Sequence, residues 1–179
     1  NQGTVPVKVR LLDPTDARAY QQLRLQALRE SPTAFSASHA DEVGRSLDEV
    51  AARITPAADG SVCMFGIFEQ EELAGFVAVI HPQRDKLRHG VELAGLYVSP
   101  SFRRRGFGRA LLKAALAHAR SLTGVRLIKL GVTASNREAR KLYQSLGFTS
   151  YGVEPDALQV DGMFHDEEHY VLRWDPGAE

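Results

Sequence analysis

Apolar and β-branched residues recur in short blocks along the 179-residue chain, with polar or glycine-containing turns between them. Blocks of this composition are typical of β-strands. Two tight polar turns, at 69–72 and at Asp161-Gly162, predict hairpins between neighbouring blocks. The predicted strands are 7–12, 62–69, 73–81, 91–98, 125–132, 148–160 and 163–174.

Two segments in the second half of the chain instead carry apolar residues every three or four positions, which predicts amphipathic helices. In 107–122, Leu111, Ala115 and Ala119 are spaced four apart and share one face. The other segment is 136–146, and Gly147 is suited to end it in a left-handed conformation.

The first half predicts two further helices from their capping residues. Asp13 before Pro14 is a helix start, and the helix is expected to run to about residue 29. Ser46 with Glu49 forms a capping box that begins a helix ending near residue 54. The segment 35–45 between them is expected to be irregular.

The order of these elements predicts an α/β fold of the α+β type. We expect a mixed, mostly antiparallel central sheet of about seven strands, flanked by about four helices. The sequence contains no repeat, linker or low-complexity stretch, so residues 1–179 are expected to form a single domain with its core at about 7–174.

Charge is distributed unevenly although the formal net charge is zero. Residues 93–137 contain nine basic residues and no acidic one, whereas the segments before and after carry net charges of −3 and −6. A zero net charge argues against a general nucleic-acid-binding protein. The local excess of positive charge predicts a site for an anionic ligand.

Several classes of protein are not expected. No window approaches ~18 consecutive apolar residues, and the first residues lack the basic-then-apolar pattern of a signal peptide. Cys63 is the only cysteine and lies in an apolar run, so we expect a buried structural thiol and no cysteine-based zinc site. A cytoplasmic location without membrane contact is the expectation.

A glycine-containing loop lies between the predicted strand 91–98 and the helix 107–122. Its sequence is Arg103-Arg104-Arg105-Gly106-Phe107-Gly108-Arg109. Free N–H groups at a helix N-terminus favour an anion, and glycines allow close approach to the backbone. The loop lacks the residues of a P-loop, and Leu111 with the absence of acids breaks a dinucleotide-binding fingerprint. The alternative to an anion-binding loop is a flexible, glycine-containing turn whose arginines are solvated.

Two motifs together resemble those of the GCN5-related N-acetyltransferase (GNAT) family. Arg103 to Gly108 resembles its acetyl-CoA signature, Arg/Gln-x-x-Gly-x-Gly/Ala, placed after a strand and before a helix. Asn136 to Phe148 resembles its second signature, N-x-x-A-x-x-L-Y-x-x-x-G-F. The motifs occur in the family's order and at its usual separation. The resemblance covers 7–174, with the N-terminal third matching in element order alone.

The resemblance implies acetyl-CoA as co-substrate and no metal. The backbone amides of 104–109 would hold the pyrophosphate, and a bulge near 96–98, beside Gly95, would expose backbone to the pantetheine arm as in β-augmentation. Asn136 would offer its amide to the cofactor. The implied cofactor-binding residues are Leu96, Tyr97, Val98, Arg103, Arg104, Arg105, Gly106, Phe107, Gly108, Arg109, Asn136 and Tyr143.

Two residues are the catalytic candidates. The family pattern places Tyr143 near the CoA sulfur, where a phenol can protonate the leaving thiolate; a core aromatic is the alternative. Glu92 is the candidate general base, since desolvation in the apolar strand would strengthen it. An exposed strand-end glutamate, with deprotonation through water, is the alternative. Glu154 and the 166–169 run are further candidates, and a metal role for Asp166, His165 and His169 is a weaker idea.

The expected function is acetyl transfer to a primary amine of a small molecule or peptide, by direct attack on acetyl-CoA. The acidic flanks favour a cationic acceptor. There are two rival hypotheses: a nucleic-acid-binding module that uses 103–137, and an acyl-CoA sensor without catalysis. A homodimer is compatible with the sequence. No nucleic-acid partner is expected.

Overall fold

The computed structural model describes residues 3–175 and contains one seven-stranded sheet, which confirms the predicted strand count and fold class. The strand order across the sheet is β1-β2-β3-β4-β5-β7-β6. The strands are β1 (Val7–Leu11), β2 (Val62–Glu69), β3 (Glu72–Ile80), β4 (Gly90–Val98), β5 (Leu127–Thr133), β6 (Thr149–Val160) and β7 (Met163–Arg173).

Five α-helices accompany the sheet in the described residues, one more than expected. The additional helix is a single short turn inside the segment predicted to be irregular. The helices are α1 (Ala17–Glu30), α2 (His39–Glu42), α3 (Leu47–Ile54), α4 (Phe107–Ser121) and α5 (Arg137–Ser145).

The first predicted helix begins later than expected. Residues Pro14–Asp16 form a 3-10 turn before α1, because the Asp13 carboxylate accepts from Thr15 N and the Asp16 carboxylate accepts from Asp13 N. The Arg10 guanidinium donates two hydrogen bonds to Asp16 as well, at 2.7 and 2.8 Å. Asp16 therefore fixes the end of β1 to the start of α1.

Strands β4 and β5 are the one parallel pair among the described strands, and they separate after three residues. Gly90–Glu92 pairs with Leu127–Lys129, and no pairing continues beyond Lys129. On the other edge of β4, Phe76 pairs with Tyr97 while Ala78 pairs with Ala94, so β4 carries an extra residue in a bulge. The expected bulge is thus present, and it directs β4 away from β5.

The bulge falls at a glycine for a conformational reason. Gly95 has φ +63°, in the left-handed region that side chains disfavour. Glycine at this position lets the strand turn locally without strain, and the backbone of 95–98 is thereby left without a partner on the β5 side.

Apolar side chains form two layers, one on each face of the sheet. Helix α4 and the buried Tyr143 of α5 pack on one face against residues such as Ile128 and Leu130. Helices α1 and α3 pack on the other face against residues such as Met64 and Phe76. Cys63 is 8% exposed within the first layer, which confirms the expected buried thiol. Within residues 3–175, every helix is too short or too polar to cross a bilayer.

Candidate active site

Separation of β4 from β5 opens a continuous passage through the molecule with three parts. The first, here the α4 cleft, has a volume of about 640 Å³ and runs along Leu96 to Val98 and the N-terminus of α4. The second, the junction, is narrow at about 110 Å³ and lies between β4, β5 and α5. The third, the α1 cleft, has about 870 Å³ and lies between α1, α3 and the sheet.

Shared residues show how the three parts connect. Leu96, Asn136 and Ala139 line both the α4 cleft and the junction. Gly95 and Glu167 line both the junction and the α1 cleft. Two molecules entering from opposite ends would therefore meet at the junction.

The wall of the α4 cleft near α4 is suited to bind an anion. Gly106 caps the helix with φ 80°, and the first N–H groups of α4 have no partner within the helix. A β-carbon on Gly108 would lie 3.2 Å from Leu142 Cδ2, so glycine there lets α4 and α5 pack closely. Phe107 borders the cleft but is 5% exposed, with its ring stacked on Phe102 in the core.

Two of the predicted arginines are occupied by carboxylates from other segments. Arg103 donates to both oxygens of Glu30, at 2.9 and 2.8 Å, and to Val98 O at 3.0 Å, while lining the α4 cleft. Its hydrogen bonds hold the pKa of the Glu30 carboxyl below its ordinary value. Arg105 instead pairs with Glu69, and its side chain does not line the cleft.

The other two arginines of the loop face the α4 cleft. Arg104 is exposed, has φ 60°, and forms no ion pair within residues 3–175. Arg109 donates to Ser145 Oγ at 2.7 Å across to the end of α5. The positive charge available to a ligand is therefore smaller than the run of arginines in the sequence indicates.

The three predicted residues of the bulged strand all line the α4 cleft, but Tyr97 lies mainly in the core. Leu96 and Val98 are half-buried and line the α4 cleft. Tyr97 is 4% exposed and packs against Phe76 and Phe35 at ring distances of 5.8 and 6.1 Å. The buried tyrosine ring anchors this length of strand against the α1 side.

Helix α5 places Asn136 and Tyr143 at the junction, as the second motif predicts. Asn136 caps the helix, with its Oδ1 accepting from Ala139 N at 3.1 Å, so its amide N–H groups remain for a ligand. Tyr143 is 6% exposed and packs against Phe148 and Tyr170. Burial raises the pKa of its hydroxyl well above the ordinary value. Tyr143 is thus both a core aromatic and part of the junction wall.

Glu92 lies in the α1 cleft, on β4 opposite Lys129 of β5. Its neighbours Val91 and Leu93 are buried, but strand alternation turns Glu92 outwards and its side chain is exposed. The desolvation expected for this residue from the sequence is therefore wrong.

A second carboxylate, Glu167 of β7, reaches the junction itself. The sequence offered it only as one member of the acidic 166–169 run. Its carboxylate folds across Gly131 of β5, where a β-carbon would collide with Oε1. Only the pairing of β7 with β5 brings these residues together, so no local signal identifies Glu167.

Glu167 belongs to a small polar cluster on the β6–β7 hairpin. His169 Nε2 lies 3.0 Å from Glu154 Oε2 and 3.9 Å from Glu167 Oε1. Potential ligand atoms of these three residues lie within 4.8 Å of one another. Of the other residues considered for a metal, Asp166 accepts from Asp156 N instead. The cluster can share a proton or bind a cation.

An arginine network on the opposite wall was not predicted from the sequence. Glu42 is 3% exposed and lies close to Arg24, Arg45 and Arg53. Arg24 and Arg53 line the α1 cleft. With two carboxylates and two guanidinium groups, the cleft does not share the acidic excess of the flanking segments.

Comparisons with known proteins agree with this architecture. The chain is 32% identical over 141 residues to the mycothiol acetyltransferase of Segniliparus rotundus, covering 76% of the chain but 52% of that protein. The chain therefore spans about half the length of this relative.

Two solved structures share the fold. A GNAT-family acetyltransferase from Streptococcus pneumoniae superposes with a TM-score of 0.84 at 22% identity, covering 94% of this chain and 100% of that one. The yncA protein of Salmonella typhimurium, determined with its cofactor acetyl-CoA, gives a TM-score of 0.76 at 22% identity, covering 97% and 96%. The sequence profile of the acetyltransferase (GNAT) family matches residues 24–148, and the chain belongs to this family.

Proposed function

We propose that this protein transfers an acetyl group from acetyl-CoA to a primary amine by direct attack. The observation that carries the proposal is the narrow junction, which connects a cleft suited to a phosphate-bearing cofactor with a second cleft of the size of a small substrate. Both reactants would bind together, and no covalent intermediate on the protein is needed.

Acetyl-CoA would lie along the α4 cleft. The backbone N–H groups of 104–109 would receive the pyrophosphate, with Arg104 adding a free positive charge. The pantetheine arm would pair with the exposed backbone of 96–98 as an added strand, and the Asn136 amide would donate to it. The acetyl-CoA bound to the similarly folded Salmonella typhimurium protein supports this assignment.

Chemistry would take place at the junction. The neutral amine attacks the thioester carbonyl carbon, the carbon–sulfur bond breaks, and the sulfur leaves as a thiolate that needs a proton. Tyr143 lines this cavity, and its raised pKa keeps the hydroxyl protonated at any physiological pH. Tyr143 would hydrogen-bond to the sulfur and pass its proton to the thiolate as the carbon–sulfur bond breaks, and solvent would return a proton to the phenolate at once, because burial disfavours the charged form.

A base must remove a proton from the attacking amine, and two carboxylates line the α1 cleft. Glu167 borders both that cleft and the junction, whereas Glu92 borders the cleft alone. Position therefore favours Glu167, which lies close to His169 as an onward proton acceptor. Glu92 remains the alternative base nearer the cleft entrance.

The rival hypotheses are less well supported. Two arginines of the basic segment, Arg103 and Arg105, are already neutralised by Glu30 and Glu69. Within the 103–109 loop this leaves Arg104 and Arg109 as the arginines without a carboxylate partner in the described chain, fewer than the several contacts that a nucleic-acid phosphate chain requires. A sensor without catalysis would not need a tyrosine and a carboxylate at the point where the two clefts meet.

An assay of released CoA thiol against a panel of primary amines tests the proposal. We expect turnover with at least one amine class, and an increase in melting temperature on adding acetyl-CoA, since a ligand that binds the folded state stabilises it. No thermal shift at millimolar acetyl-CoA together with no thiol release would overturn it. Binding without turnover across the panel would favour the sensor.

A further inference from the structure

The α1 cleft contains a partly buried arginine, Arg24, that has no close carboxylate partner. The Arg24 side chain is 14% exposed, and its nearest carboxylate atom is Glu42 Oε1, at 3.8 Å from its Nη2. That distance exceeds a hydrogen bond. Arg24 otherwise lies over the Phe35 ring, with its guanidinium carbon 4.8 Å from the ring centroid.

Glu42 cannot supply the missing partner because it is already engaged. Its Oε2 accepts from Arg45 Nε at 2.9 Å and from Arg53 Nη1 at 2.8 Å. Three guanidinium groups thus surround one buried carboxylate. Buried charges are normally paired and hydrogen-bonded, so this excess of positive charge favours binding of a further anion.

The position of Arg24 places that anion close to the reacting centre. Its Nη1 would lie 3.8 Å from a β-carbon on Gly95, the glycine of the β4 bulge. Gly95 and Glu167 border both the junction and the α1 cleft. The cleft therefore has Arg24 of α1 beside the β4 bulge and the Glu167 carboxylate over Gly131 of β5, with Glu92 further along β4 and apolar residues that include Met64 and Phe76.

We propose that the acceptor is a small amino acid with a free carboxylate and an apolar side chain. Its carboxylate binds Arg24, its amine faces Glu167 and the thioester, and its side chain lies on the apolar floor. Because Arg24 lies beside Gly95, which borders both the junction and the α1 cleft, a carboxylate bound there would lie close to the reacting centre, as the amine and carboxylate of an amino acid require. This inference rests on the proposed acetyl transfer.

The test compares several apolar amino acids with their C-terminal amides as acceptors. The amides keep the amine and side chain but lose the carboxylate. We expect the wild-type protein to favour the acids by about tenfold or more in kcat/KM, and Arg24→Gln to abolish that preference. Because each preference is compared between variants, the different basicities of acid and amide cancel.

Arg18→Gln is the matched control, because Arg18 is also an arginine of α1 but is exposed and does not line the cleft. It should retain the preference for acids. Arg24→Lys keeps the positive charge and should retain part of the preference for acids. This variant keeps the test informative if Arg24→Gln folds poorly.

Equal preference in wild type and Arg24→Gln, or a wild-type preference for amides, would overturn the inference while leaving acetyl transfer intact. An equal fall in kcat/KM for acids and amides in Arg24→Gln would also overturn it, since Arg24 would then contribute equally to every acceptor. Absence of thiol release with every amine would instead be the failure of the proposed function.

Discussion

The Glu167 carboxylate on β7 occupies the space above Gly131 on β5, where any larger residue would place its β-carbon. This contact turns the carboxylate towards the junction rather than towards solvent. The absence of a side chain at Gly131 therefore sets the position of Glu167, the candidate base. Substituting either residue tests this contact.

Gly131→Ala should displace Glu167 without unfolding the protein. The added methyl group collides with a flexible side chain, so the backbone can stay in place while the carboxylate moves. We expect kcat to fall about tenfold or more, since misplacing a catalytic group by ~1 Å can cost a hundredfold. Gly152→Ala on β6, which has open space around it, is the control and should retain activity. Unchanged activity in Gly131→Ala would show that the Glu167 position is unimportant.

Glu167→Gln and Glu92→Gln separate the two candidate bases. If Glu167 accepts the amine proton, its variant should lower kcat/KM by about a hundredfold or more, within the usual range for general bases. The Glu92 variant should change it only slightly, because Glu92 is exposed and borders the α1 cleft alone. Steady-state kinetics at one saturating acetyl-CoA concentration measures both variants. A larger fall in kcat/KM for the Glu92 variant than for the Glu167 variant would assign the base to Glu92.

Tyr143→Phe should reduce kcat by about a hundredfold with little change in acetyl-CoA affinity. The hydroxyl is the only group removed, and the ring contacts with Phe148 and Tyr170 remain. Since burial raises the Tyr143 pKa, wild-type activity should also show no loss from ionisation of this group up to pH ~10. A variant that turns over at the wild-type rate would leave Tyr143 as a core residue only.

Arg104→Gln and Arg105→Gln should differ in cofactor binding although they are neighbours in the sequence. Arg104 faces the α4 cleft without an ion pair in the described chain, whereas Arg105 is engaged by Glu69 and stacks over Phe107. We expect the first variant to weaken CoA binding about tenfold, more at low salt, and the second to change it little. Calorimetric titration with CoA measures both, and equal losses would contradict the orientation described.

Asp16→Asn should destabilise the protein by about 2 kcal/mol at neutral pH, because it weakens the charged hydrogen bonds between the buried Asp16 carboxylate and the partly exposed Arg10. The hydrogen bond from Arg10 lowers the Asp16 pKa below the ordinary 3.8. A carboxyl with a lowered folded pKa stabilises above its unfolded pKa and loses that contribution as pH falls through the folded value. The difference between wild type and variant, measured by urea unfolding, should therefore shrink below pH 3.8; a constant difference would rule out this account.

Local patterns were sufficient for the elements of this fold. Apolar, β-branched blocks located the seven strands, helical periodicity located α4 and α5, capping residues located α1 and α3, and turn residues such as Asp161-Gly162 located the hairpins. These features depend on residues only a few positions apart, so they can be read from the sequence without the fold. The N-terminus of α1 was less well predicted, because the Asp13 and Asp16 caps favour a tight turn before the helix.

The family motifs likewise located one half of the candidate site from sequence. Gly106, Gly108, Asn136 and Tyr143 lie where the motifs imply, since one strand, one helix and their connection position them. The orientation of the arginines was not predictable in this way. Whether Arg103 and Arg105 meet a ligand or a carboxylate depends on Glu30 and Glu69, which are distant in the chain.

The sequence by itself therefore determined the elements, the family and the loop proposed to bind the cofactor, because these depend on short-range patterns. Tertiary structure alone decided the lining of the α1 cleft, where the acceptor is proposed to bind. Arg24 from α1 and Glu167 from β7 line the same cavity beside the separation of β4 from β5, and none of these elements is adjacent in the chain. Long-range pairing of strands and packing of α1 on the sheet place the two charges in one cavity, and no local spacing encodes that arrangement.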